Sequence, residues 1–244
     1  MKDFSFCVSM STIPSRVKNI NDILENINNQ TLKPKKIFLN VPLKYNRFKN
    51  EIISKKDLDG ISKENVEIVR CNDYGPGTKI MGSIDKVRNY DCVILLDDDH
   101  IYDKNICKIF LEAFKKEPVN YSFYLNKIFS IKMGQCADGF LMNTKLLDNI
   151  EIFYEKYFKN NNNMFLDDDL WLAIYLQKEK KSSIKNLINI FRGQVNKDIV
   201  YEQNINSKID GLYLTAHKDG FFLNRRKIQK IEYIKYMIKT FFRT

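Results

Sequence analysis

The chain runs through five consecutive apolar residues, Cys92-Val93-Ile94-Leu95-Leu96, straight into three adjacent carboxylates, Asp97-Asp98-Asp99, and then His100. A short, unbroken apolar run of this kind fits a central parallel strand covered on both faces. In open α/β sheets, ligands bind beyond the carboxyl ends of the strands, which is where these carboxylates fall. Clustered like charges repel and resist desolvation unless a cation or solvent relieves them. A divalent ion bridging to a diphosphate would do so, since Mg²⁺ and Mn²⁺ take oxygen ligands. A solvated acidic turn capping the next helix accounts for the same residues.

The surrounding pattern alternates strand and helix signals. Phe4–Met10 reads as a strand, and Val17, Ile20, Ile23, Leu24 and Ile27 then repeat at helical spacing. Lys36–Val41 and Val66–Arg70 read as further strands, and a helix is expected from Lys79 to Arg88. Ile106, Ile109, Phe110, Ala113 and Phe114 mark another helix, and Gly139–Met142 another strand. A helix is expected over Thr144–Tyr157, a loop over Asn160–Asn163, and an acid-led helix over Asp168–Leu176. This order argues for an α/β sandwich, Rossmann-like, with a mostly parallel central sheet.

Two further segments stand where a strand gives way to a helix. Ser11-Thr12-Ile13-Pro14-Ser15-Arg16 offers backbone amides, hydroxyls and a guanidinium to an anion, or serves as an ordinary Ser/Pro helix start. Asp73-Tyr74-Gly75-Pro76-Gly77-Thr78-Lys79 lacks the GxxxxGK[ST] spacing of a Walker A loop. It still supplies a tight turn, a hydroxyl and a lysine, whether for a ligand or only for the turn.

In this order, STIPSR, DYGPGTKI, VILLDDDHIY, GFLM and DDLWL resemble the small GT-A glycosyltransferases, family 2-like, of bacterial and large-virus polysaccharide clusters. The resemblance spans roughly residues 4 to 220. It implies a metal-dependent, inverting transfer of a sugar from a nucleotide-sugar donor, with uridine as its base. Asp97-x-Asp99 would be the DxD-type motif, Asp97 reaching the ribose or the metal through water and Asp99 binding Mn²⁺ or Mg²⁺. Asp98 lies between them, and Thr12, Pro14, Arg16 and Asp73 would border the nucleoside. Lys79 would approach the phosphates or the sugar. Asp169, or Asp168 beside it, matches the catalytic-base position, with Asp167 leaving the register open by one residue. His217 is the candidate third metal ligand, or else a surface histidine. His100 is the weaker candidate, because strand alternation would turn its side chain away from that of Asp99.

The formal charge of +10 is unevenly placed. From Leu223 to Thr244 seven basic residues face one acid, a balance of +6, so residues 1–222 read as the catalytic domain and 223–244 as a basic tail. Isoleucines interleaved with these lysines suit a helix lying on an anionic membrane, or one packed on the domain. The five scattered cysteines have no CxxC pair and point to a reducing, cytoplasmic setting. Neither a leader nor a spanning stretch is read, so any membrane contact would be peripheral, on the inner face. The expected partners are the donor and a glycan or lipid-linked saccharide acceptor. Nucleotidyl or phosphoryl transfer would use the same carboxylates. Nucleic-acid binding has only the net charge in its favour, and no recognition motif.

Overall fold

The computed structural model describes residues 4–48, 51–61, 64–190, 201–203 and 224–242. Seven strands form the central sheet: β1 (Phe6–Ser11), β2 (Lys36–Pro42), β3 (Val66–Cys71), β4 (Cys92–Leu95), β6 (Asn120–Ser122), β9 (Phe140–Asn143) and β10 (Ile184–Asn186). Their order is β10-β6-β9-β4-β1-β2-β3, and every pairing is parallel except those of β9 with β4 and β6. The remaining strands form two small pairs. The hairpin β7 (Leu125–Ile128) and β8 (Ile131–Gly134) is one, and β5 (His100–Tyr102) with β11 (Tyr201–Gln203) the other.

The apolar run that ends in the carboxylates is β4, flanked by β1 and β9. Its residues alternate between two cores. Cys92 and Ile94 pack with α1 (Ile20–Asn28) and α5 (Ile106–Lys116) on one face of the sheet. Val93 and Leu95 face the opposite layer, built around α6 (Ile150–Tyr157) and α8 (Asp168–Ile174). Burial on both faces explains why β4 carries no polar alternation. The chain goes from β1 outward to β2 and β3, then returns to place β4 on β1's other side. The cleft between β1 and β4 is therefore a topological switch point.

Two expected helices are broken. Lys79–Arg88 divides into α3 (Thr78–Met81) and α4 (Ile84–Val87) around Gly82-Ser83. A Cβ on Gly82 would lie 2.7 Å from Asn40 Oδ1, so the chain passes too close to β2 there for any other residue. Thr144–Tyr157 yields only a 3₁₀ turn and then α6, because Asn149 takes a left-handed conformation with φ 62°. Asn162 opens the short helix α7 (Asn162–Phe165) where a loop is expected, capped by the Asn161 side chain.

The basic segment forms a helix over Arg225–Phe241, with Gln229, Glu232, Tyr233 and Tyr236 buried. Tyr233 and Tyr236 join the α6–α8 core, and Glu232 accepts hydrogen bonds from Asn161 and Asn163. Among the described residues, no helix is long and apolar enough to cross a membrane.

Trp171 on α8 is the largest fully buried side chain and sits at the centre of that second core. Trp171→Ala should cost about 3–5 kcal/mol of stability, the usual price of truncating a buried aromatic. Urea unfolding with an unchanged m-value checks it; a loss under about 1 kcal/mol would remove Trp171 from that role.

Candidate active site

The loops following β1, β3 and β4 and the start of α8 surround one cavity of about 400 Å³, a size typical of small-ligand sites. Six aspartates line it (Asp73, Asp97, Asp98, Asp99, Asp168, Asp169), against the cations Arg16, Arg47, Lys79 and Arg225. Thr12 also lines it, with its carbonyl accepting from the Tyr45 hydroxyl at 2.8 Å. Pro14 is half-buried and lies outside the lining, while its neighbours Ile13 and Arg16 are part of it. His217 falls outside the described residues.

Arg16 crosses the switch point. Its Nη1 stands 2.6 Å from Asp98 Oδ1 and 3.0 Å from Asp99 Oδ2, all three side chains being buried. Burial pushes the Asp98 carboxyl up against the pull of Arg16. Burial also works against the charge on Asp99, but His100 and Arg16 together hold it below the ordinary aspartate range. Contrary to strand alternation, His100 turns towards Asp99. Strand β4 ends at Leu95, the chain turns at Asp98-Asp99, and β5 starts afresh at His100, so alternation does not carry through. His100 Nδ1 therefore lies 2.6 Å from Asp99 Oδ1.

Lys79 is buried and ion-pairs with Asp97 and, at 3.4 Å, with Asp168. Desolvation disfavours its ammonium, yet Asp168 and Asp97 hold its pKa well above the usual lysine value. Its backbone is anchored as firmly: the Lys79 carbonyl accepts from Ser9 Oγ at 2.5 Å and from Asn40 Nδ2 at 3.3 Å. The turn before it is built around Asp73, which accepts from the Asn46 and Gly75 amides at 2.6 and 2.9 Å. Gly75 has φ +59°, and a Cβ on Gly77 would stand 2.7 Å from Trp171 Cζ2. Only glycine meets both constraints.

The acidic start of α8 separates into three roles. Asp167 is the buried N-cap, accepting from the Leu170 amide, Arg225 and Gln229. Asp168 faces Lys79, and burial raises its pKa in spite of that partner. Asp169 accepts from the Cys136 amide at 3.1 Å and pairs with Arg225 Nη2 at 3.3 Å. Desolvation and the neighbouring Asp168 raise Asp169 to about 7, with Arg225 opposing. Among the described residues, two groups have ligand atoms mutually within 4.8 Å: Asp97, Asp99 and His100, and Cys136, Asp168 and Asp169. The first combines carboxylate oxygens with an imidazole, a donor set suited to Mn²⁺. In the second, burial holds the Cys136 thiol protonated, so that group suits a metal poorly.

Arg225, Tyr45, Arg47, Phe48 and Cys136 line the cavity without having been singled out in the sequence. Tyr45, Arg47 and Phe48 follow the end of β2, a position that could have flagged them. Arg225 has no local signal, since only the packing of its helix brings it here.

The mostly parallel seven-stranded sheet with this cleft at its switch point is a GT-A-like, Rossmann-like α/β fold. No protein-family model matches the chain, and no curated protein matches it by sequence. Solved structures do match: one of S. aureus TarS aligns with a TM-score of 0.52 at 14% identity, covering 83% of this chain and 37% of that one. The glycosyltransferase GlyE of Streptococcus pneumoniae aligns at 0.42 and 16% identity, covering 75% and 46%. A cytidylyltransferase of Leptospira borgpetersenii aligns at 0.45 and 14%, covering 74% and 73%. The chain spans 55% of the TarS 1-349 structure crystallised with UDP. At these identities the likeness is one of fold.

Arg16→Ala should destabilise the protein by about 3–5 kcal/mol near neutral pH, because two buried carboxylates lose their counter-charge. Asp99, held low in the folded state, gives stability above its unfolded pKa that is lost as pH falls through its folded one. The deficit should therefore shrink towards acid pH, as measured by denaturation at several pH values; a pH-independent deficit would contradict this electrostatic account.

Proposed function

We propose that this chain is a metal-dependent, inverting glycosyltransferase. It transfers a sugar from a nucleoside-diphosphate donor, with uridine as the base, to a hydroxyl of a glycan or lipid-linked saccharide. The observation that carries this reading is the opposition, across one cavity, of the Asp97/Asp99/His100 group and the half-buried Asp169 carboxyl with a pKa of about 7. A general base works best when its pKa lies near the working pH. TarS, which shares the fold, has been crystallised with UDP and with UDP-GlcNAc.

A divalent ion, Mn²⁺ or Mg²⁺, fits the excess of acid in the cavity. Asp97 and Asp99 would hold it with a histidine, His100 or His217, and it would supply Lewis-acid stabilisation of the departing diphosphate. The remaining roles belong to the chain. Thr12, Arg16 and Asp73 bound the nucleoside end, and Lys79 presents fixed positive charge towards the phosphates. Asp169 takes the proton of the acceptor hydroxyl as its oxygen bonds to the anomeric carbon and the bond to the diphosphate breaks. Asp168, turned towards Lys79, keeps that cation in place.

Incubation with nucleotide sugars and Mn²⁺ tests the reading. Release of nucleoside diphosphate supports it, whereas pyrophosphate release from nucleoside triphosphates would assign the site to nucleotidyl transfer. Asp169→Asn should bind UDP and Mn²⁺ as the parent does, yet transfer sugar at least about a hundredfold more slowly. Near-normal turnover in both Asp169→Asn and Asp168→Asn would dismiss both acids. The base acts ionised, so the parent's rate should fall as pH drops below about 7. Arg225→Gln, which removes a charge favouring the carboxylate, should move that limb to higher pH. Asp99→Ala should abolish Mn²⁺-dependent UDP binding by calorimetry, and unchanged affinity would take Asp99 out of the metal site.

A further inference from the structure

The helix Arg225–Phe241 has two apolar faces. One, with Tyr233 and Tyr236, is buried in the domain. The other points away from it: Ile231, Ile234, Met237, Ile238, Phe241 and Phe242 are exposed, the two phenylalanines at 76% and 80%. Ile231, Ile234, Ile238 and Phe241 follow the i, i+3, i+7, i+10 spacing of a single stripe. Phe129, at the tip of the β7–β8 hairpin and 50% exposed, stacks on Tyr233 and extends this surface. Apart from Ile231, these residues and Tyr233 line an apolar groove of about 510 Å³.

The exposed charge on this helix is of one sign. Arg226, Lys227, Lys230, Lys235 and Lys239 are exposed along the helix, whose one acid, Glu232, is buried and satisfied by Asn161, Asn163 and Lys235. Arg226, Lys227 and Lys230 occupy the first turns on the outward side, and the exposed aromatics the last. An apolar stripe edged by cations is the pattern of a helix lying in a membrane interface, its apolar side chains among the acyl chains and its cations at anionic headgroups.

We propose that the outward face of this helix, with Phe129, docks the protein on an anionic lipid surface. The helix begins at Arg225 in the cavity lining and is about 25 Å long, so docking holds the mouth of the cavity within one helix length of the bilayer. Resting on the glycosyltransferase reading for this clause alone, the acceptor is then a saccharide carried on a lipid. A surface of this kind answers to both parts of the pattern, whereas a soluble glycan answers to neither.

Co-sedimentation of the full chain with vesicles tests the docking without any catalytic readout. Vesicles containing phosphatidylglycerol should retain at least about ten times more protein than pure phosphatidylcholine, and molar salt should remove most of the difference. Ile234→Gln with Phe241→Gln, and separately Lys227→Glu with Lys230→Glu, should each lower binding about tenfold or more, with unchanged melting because all four side chains are exposed. Equal retention on both vesicles, or variants that bind as the parent does, would overturn the proposal. So would a concentration-dependent dimer, dispersed by Phe241→Gln, in a protein that ignores vesicles, since the face would then belong to a second copy. Vesicle binding without sugar transfer would leave the docking intact and sink only the reading of the reaction.

Discussion

The arrangement of the site turns on one buried ammonium. Lys79 joins Asp97, at the end of the central strand, to Asp168, at the start of the α8 helix that carries Asp169. A cation out of water is tolerable only with its charge matched and its donors used, and both carboxylates serve that end. The fold invests in placing it: Ser9 and Asn40, polar residues buried within β1 and β2, accept no solvent and instead hold the Lys79 backbone. Without Lys79 the carboxylates Asp97 and Asp168 would present like charges to each other.

A second set of charges works at the far side of the acidic helix. Asp167 spends its carboxylate on the helix N-terminus, Arg225 and Gln229, which leaves Asp169 to face the cavity. Asp169 keeps one tie to Arg225 and one to the Cys136 amide, and sits between desolvation, which favours its proton, and the guanidinium, which opposes it. That balance places its titration near neutrality. The same helix that carries the exposed Phe241 therefore also supplies, through Arg225, one of the charges acting on the proposed base.

Much of this was legible in the sequence. The Cys92–Leu96 run supplies β4, and the carboxylates, Thr12, Arg16, Asp73, Lys79 and the acidic pair all line one cavity, because each follows a strand at the same edge of the sheet or opens a helix there. The parts that were not legible depend on contacts distant in sequence. No local pattern announces that Arg225 reaches Asp167 across 58 residues, or that the basic segment buries Tyr233 and Tyr236. Strand alternation does not extend past the end of β4, so it says nothing of the direction His100 takes at the start of β5. The breaks at Gly82 and Asn149 come from close approach to β2 and from a left-handed residue, and a periodicity argument sees neither.

The contact of Gly77 with the Trp171 indole has a mechanical consequence. The turn that presents Lys79 and the helix that presents Asp169 touch backbone to ring, with no side chain between them to change rotamer. Close-packed groups of this kind transmit strain and do not absorb it. These two walls therefore behave as one stiff body, and the cavity cannot widen by parting them. The segment after β2 is tied to the same body, because the Tyr45 hydroxyl donates to the Thr12 carbonyl and the Asn46 amide to the Asp73 carboxylate of that turn.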